Sequence, residues 1–390
     1  MNGWIIAFML AAQTLPKQHA DELRPRVSVS GTMELSPSAR IHLEGVAEAL
    51  VARRRIAGGP SGRVNAFDAD AREAWIEVGG ARADLRAGYG RLAWGRLDEV
   101  QPSDVINPID TARFFLDGRA EARLPVAFAR GRLFLSPTVT LEGVVVPFFR
   151  RSHFDSLDEP SSPFNLENDA VLPAGTVVVG VTRVEPSTRW RHVQGGGQLS
   201  ATLGRVDVSA SVYRGFHGFG DVSFEPTIPP RAGQPLVGEL VERFPRFTML
   251  AADAETVTGP WAWRGEVAWF KDASFDIGAG VDRKTGAYRV FGSVLVHRDV
   301  ASATAVARAN TNVVGSVERS FHRDQWLARA FAVVNPADRS GFMRGVVSWK
   351  ASDRVAIEAT AAMFVGTGDD TISRFAGRDF VMARVRYFLK

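Results

Sequence analysis

Between Trp261 and Phe270 the chain reads WAWRGEVAWF. Successive side chains of a β-strand point to opposite faces. Trp261, Trp263, Gly265, Val267 and Trp269 therefore share one face, and Ala262, Arg264, Glu266, Ala268 and Phe270 share the other. Three tryptophans on one side of a strand are costly to leave in water. A bilayer resolves the conflict, with apolar groups toward lipid, aromatic rings near the headgroups and charges toward a wet interior.

The same two-residue rhythm recurs along the chain. Val27, Val29, Gly31, Met33 and Leu35 share a face, as do Ile41, Leu43, Gly45, Ala47, Ala49 and Val51, with His42, Glu44 and Glu48 opposite. Residues 82–94 form a further run ending in Trp94. Val139, Leu141, Gly143 and Val145 alternate with Thr140 and Glu142. Val355, Ile357, Ala359, Ala361 and Met363 alternate with Arg354, Glu358 and Thr360, and Val381, Val385, Tyr387 and Leu389 with Arg384 and Arg386. Such spacing would smear apolar residues around a helix, and the many glycines disfavour helix interiors. The fold expected is all-β: one closed antiparallel transmembrane barrel of about 16 strands, within a range of 14–18. Residues 286–335 are ambiguous because their runs are apolar on both faces.

Connections come in two sizes. Short turns fall at 36–40, 203–205, 258–260, 282–286 and 350–354; longer links fall near 54–70, 95–118, 150–187, 216–244 and 366–378. Tight turns on one side and large loops on the other mark a bacterial outer-membrane barrel, with the loops outside. Residues 1–20, with the apolar run Trp4–Ala12, read as an export signal, leaving 21–390 as the barrel.

Composition narrows the function. The 390 residues contain no cysteine, which excludes disulfides and thiolate chemistry. No apolar run reaches the roughly 20 residues of a membrane helix. The net charge is +4, but the arginines alternate with acids inside strands and form no basic stripe, so nucleic acid is not an expected partner. The seven histidines form no metal-binding spacing, and His153, Asp155, Asp158 and Glu159 match no calcium loop, so neither metal nor cofactor is expected. No Gly-x-Ser-x-Gly elbow is present.

Three stretches carry a resemblance. GYGRLAWGRLDEVQPSDVINPID at 88–110 joins a Trp94-Gly95 strand end to an Asp104-x-x-Asn107-Pro108-x-Asp110 element; FPRFTMLAADAET begins at 244; and WRGEVAWF spans 263–270. Together they resemble porin-like outer-membrane barrels, loosely related to alginate-export-type proteins. The resemblance implies an outer-membrane pore or transporter.

Two sets of candidate residues follow from the rhythm and the loops. Glu44, Glu48, Arg86, Glu142, Arg264, Glu266, Arg344 and Glu358 are expected to face the lumen, where charges tune permeation or pair across strands. Residues 95–118 are expected to fold inward and narrow the pore, setting Asp98, Glu99, Asp104 and Asp110 against arginines, with Asn107-Pro108 as turn chemistry. The function expected is passive passage of small hydrophilic or amphipathic solutes, without catalysis. A lipid- or peptide-hydrolysing barrel, or a non-conducting structural one, is the alternative. Outer-membrane lipid, the barrel-assembly machinery and a small solute are the expected partners, and self-association into oligomers stays open.

Overall fold

The computed structural model describes residues 3–55, 61–169, 175–228, 234–271, 273–299 and 309–389. Alternation gives strands throughout: β1 (Gly3–Leu15), β2 (Ala20–Ser36), β3 (Ala39–Arg55), β4 (Ser61–Gly79), β5 (Ala83–Gly90), β6 (Val126–Ser136), β7 (Val139–Val146), β8 (Thr176–Val184), β9 (Gln194–Leu203), β10 (Val206–Phe216), β11 (Asp221–Pro226), β12 (Leu236–Arg243), β13 (Arg246–Thr258), β14 (Trp261–Phe270), β15 (Ser274–Thr285), β16 (Tyr288–Asp299), β17 (Ala309–Phe321), β18 (Trp326–Asn335), β19 (Ser340–Lys350), β20 (Val355–Val365) and β21 (Phe380–Leu389). All but β8, β11 and β12 join one 18-stranded sheet. Its neighbours are antiparallel, and β1 pairs with both β2 and β21, from Ile6 opposite Leu389 to Thr14 opposite Val381, closing the barrel. The count lies at the upper end of the expected range. β8, β11 and β12 form a separate small sheet from the loop segments, with β8 and β12 parallel.

Closure falls to part of the stretch that reads in the sequence as an export signal. Residues 3–15 are the closing strand, and without them β2 and β21 would each present an unpaired edge. In hydrocarbon an unpaired backbone group costs several kcal/mol. β1 is apolar on both sides: Trp4, Ile5, Phe8 and Leu10 face outward or lie exposed, while Ala11 and Leu15 are buried inside. The expected link over 54–70 is also shorter than the sequence suggested, since β3 extends to Arg55 and β4 begins at Ser61.

The lipid-facing rhythm holds. Trp263, Trp269, Val294, Ile357, Met363 and Val385 are all exposed on the outer face. Arg283 lies over the Trp261 ring and Arg319 over Tyr288, near the tight-turn ends of their strands. There each guanidinium can reach headgroup level while its ring stays at the membrane interface.

The inner face is less uniformly wet than the rhythm implied. Phe291, Val314, Phe331, Val333, Phe342, Phe364 and Phe380 point inward and are buried together. This explains the two-sided apolar runs of 286–335: one face meets lipid and the other meets folded-in loops.

An arginine at the middle of the lipid face tests this frame. Val294→Arg should destabilise the barrel by about 2–4 kcal/mol, read from denaturant-dependent folding into bilayers. A change well under 1 kcal/mol would place Val294 away from hydrocarbon.

Candidate functional site: a segment crossing the lumen

Residues 91–125 leave the wall after β5 and return to it at β6, and in between they cross the barrel interior. Trp94 belongs to this segment, so the wall strand ends at Gly90, earlier than the 82–94 run suggested. One end packs on one wall: Leu92, Trp94 and Ile106 are buried with Phe128, Val144, Tyr213, Phe247 and Met249 of β6, β7, β10 and β13. The other end packs elsewhere on the wall. Here α1 (Thr111–Leu116) places Phe115 with its ring centroid 5.0 Å from Phe342, 4.8 Å from Phe364 and 4.8 Å from Phe375.

The element flagged from sequence builds this segment. Asn107 clips entry to exit: its Oδ1 accepts the Leu92 N–H at 2.8 Å, and its Nδ2 donates to the Leu124 carbonyl at 2.7 Å. One Asp104 oxygen, Oδ2, takes Arg119 and Arg123, each at 2.7 Å. Asp110 is the N-cap of α1, accepting the Arg113 N–H at 2.9 Å, and its second oxygen accepts the Ser156 N–H at 2.8 Å. Asp104 and Asp110 were expected to face arginines across the channel; they act mainly within the loops instead. Asp98 and Glu99 do face the wall: Asp98 lies 3.0 Å from Arg264 and 3.7 Å from Arg289, and Glu99 pairs with Arg329.

The wall residues named from sequence all lie on inward faces, and most hold this segment. Glu266 does not pair with Arg264. It accepts the Arg96 N–H (3.1 Å), the Leu97 N–H (3.2 Å), the Ser103 N–H (2.7 Å) and the Ser103 hydroxyl (2.6 Å). Gly95 must be glycine here: its φ is +93°, and a Cβ would stand 2.8 Å from Glu266 Oε1. Leu97 enters a notch that Gly278 and Gly280 of β15 leave open, since a Cβ on either would meet its methyl groups at 2.5 and 3.0 Å. Glu142 accepts the Trp94 indole N–H at 2.8 Å. Glu44 pairs with Arg91 at 3.2 Å. Glu48 receives Arg26 at 2.9 Å and Arg113 at 2.7 Å. Arg344 donates to the Phe115 carbonyl at 2.9 Å. Glu358 lies 2.9 Å from Arg384, which also reaches Asp117. Arg86 is apart from the crossing segment and pairs with Glu77.

A second loop, 147–169, folds down beside the first. Its acids, grouped from sequence as a conceivable cation cluster, instead take arginines. Asp155 binds Arg24 at 2.7 Å and Arg54 at 3.2 Å, Asp158 binds Arg54 at 3.0 Å, and Glu159 binds Arg151. Arg54 is completely buried and also meets Glu22 at 2.6 Å. These contacts were not legible in the sequence, because partners such as Arg24 and Asp155 are far apart along the chain. Burial alone would raise the loop carboxyls' pKa values. The guanidiniums of Arg384, Arg26 and Arg113 nevertheless hold Asp117 well below the usual carboxylate range, and Arg24 and Arg54 do the same for Asp155. Glu159 is brought down to about 2 against its burial, through hydrogen bonds from His153, Arg151 and the Phe154 amide.

A closed 18-stranded antiparallel barrel with a segment folded across its bore has the barrel fold of porins. The chain belongs to the family described as "Protein of unknown function (DUF1302)", which matches residues 59–333. Solved outer-membrane porins share the fold. OccK7 (OpdD) of Pseudomonas aeruginosa superposes with a TM-score of 0.55 at 7% identity, covering 100% of this chain and 98% of that one. OpdK of the same organism, solved with vanillate, gives 0.54 at 8% over 100% and 98%. OccAB4 of Acinetobacter baumannii gives 0.52 at 9% over 100% and 98%. No curated protein matches the sequence.

Two outcomes test the anchoring. Glu266→Gln leaves the Arg96, Leu97 and Ser103 donors short of an acceptor, at a cost of about 1–3 kcal/mol. The expected result is a noisier, larger single-channel conductance; a trace matching the parent would remove Glu266 as an anchor. For acid, the folded pKa values of Asp117, Asp155 and Glu159 lie below their unfolded values of roughly 4, so their contribution is complete above that range. It is lost only as pH falls through the lowered folded values, to about 2 for Glu159. Folding stability should therefore hold from neutral pH to about 4 and fall below it; a transition near pH 6 would contradict the assignment.

Proposed function

We propose that the protein is a passive outer-membrane channel for small hydrophilic or amphipathic solutes, and that residues 91–125 set the width of its bore. The observation that carries this reading is the ionic seating of that segment. Asp98, Glu99, Arg113 and Asp117 of one loop meet Arg264, Arg329, Glu48 and Arg384 on different wall strands. Loops held across a charged bore restrict permeation by size and charge, and no covalent step is needed. The loose kinship to alginate-export-type barrels belongs to this proposal and rests on the sequence motifs.

Planar-bilayer recording tests this. Deleting residues 98–110 should raise single-channel conductance severalfold, and unchanged conductance would remove the segment as the constriction.

A further inference from the structure

The extended β3–β4 hairpin carries an arrangement that the channel does not use. Along its outward face the cross-strand pairs run Ala47 with Ala69, Ala49 with Phe67, Val51 with Asn65, and then Arg53 with Arg63. Phe67 is 72% exposed and Val51 39%, as suits residues meeting acyl chains. The arginine pair lies one pleat beyond Val51, about 7 Å further along the strand, at the long-loop end. Both side chains are exposed, and neither has a hydrogen-bond or ion-pair partner among the described residues. Directly opposed cross-strand residues have Cβ atoms roughly 5 Å apart, where like charges repel. The acid in the same outward row is Asp21, opposite Arg53 on β2, and it is engaged by the Thr14 hydroxyl at 2.7 Å. A shallow notch of about 320 Å³ lies against the paired strands at this level, lined by Val51, Ala52, Arg53, Ser61, Gly62 and Arg63.

We propose that Arg53 and Arg63 form a binding site for the phosphate group of an outer-leaflet lipid. One phosphate between two guanidiniums converts a repulsive pair into two charge-assisted contacts, each guanidinium offering a planar fork of donors. The apolar step beneath fixes the source as a lipid, because the acyl chains of the same molecule lie along Val51 and Phe67. The site depends on the barrel's orientation in the membrane and is independent of whether the bore conducts.

The test uses the full, folded chain in neutral detergent, with heat-modifiable gel migration confirming the barrel in each variant. Phosphatidic acid and phosphatidylcholine are added in turn, and retained lipid is read by native mass spectrometry. The parent protein should retain phosphatidic acid over phosphatidylcholine. Arg53→Gln/Arg63→Gln should lower retention roughly tenfold or more, Arg53→Lys/Arg63→Lys should fall between, and Arg214→Gln, elsewhere on the outer face, should match the parent. Retention unchanged in the double glutamine variant would overturn the proposal. So would displacement of phosphatidic acid by an equal concentration of inorganic phosphate, which would reveal a small-anion site with no use for the acyl chains. If the glutamine variant does not fold, the lysine variant decides: retention equal to the parent overturns the fork geometry, and a clear loss supports it.

Discussion

Hydrocarbon contains no water to take up an unpaired amide or carbonyl, and a sheet can lie in it only without edges. The pairing of β1 with β21 is therefore the contact on which every other feature rests. It gives the lipid face its unbroken ladder, makes the interior a bounded space, and gives the loops something to fold into. It also explains why the first strand is so apolar: it faces lipid on one side and the buried Leu15 cluster on the other.

Inside that boundary two kinds of interaction divide the work. Phe115, Phe342, Phe364 and Phe375 form a dry aromatic cluster that fixes α1 by shape. Around it lie guanidinium–carboxylate contacts, many of them inaccessible to water, such as Arg54 with Glu22 and Asp155. Buried ion pairs are weak sources of net stability, since desolvation offsets much of their attraction, but breaking one partner leaves an expensive lone charge. They specify which strand meets which loop, and here they hold residues 91–125 in a single position.

Much of the frame was legible in the sequence because a β-sheet has a strict period of two. Trp263, Ile357 and Met363 announced the lipid face, and Glu48, Glu142 and Glu266 announced the inner one. The inner residues' placement was legible while their work was not. Glu266 reads in the sequence as one inward charge among several, beside Arg264 on the same strand face, yet it serves three backbone amides from a loop more than 160 residues away. Local pattern reports which way a side chain points; it cannot report what a distant segment brings to meet it. The Trp94-Gly95 and Asp104–Asp110 signals were visible for the converse reason, because a positive φ and a helix cap constrain residue type locally. The N-terminal strand β1 is apolar on both faces, and in the sequence that pattern has the same continuous hydrophobic character as a leader's core.

One mechanical consequence follows from seating a segment at both ends. A thin cylinder of strands is a hoop, and the bilayer squeezes it from all sides. A spoke riveted to separate arcs of that hoop keeps its outline from flattening into an oval. Residues 91–125 are such a spoke, fastened at Glu142 and Glu266 on one arc and at Arg344 and Arg384 on another. The segment that crosses the bore thus also braces the wall around it.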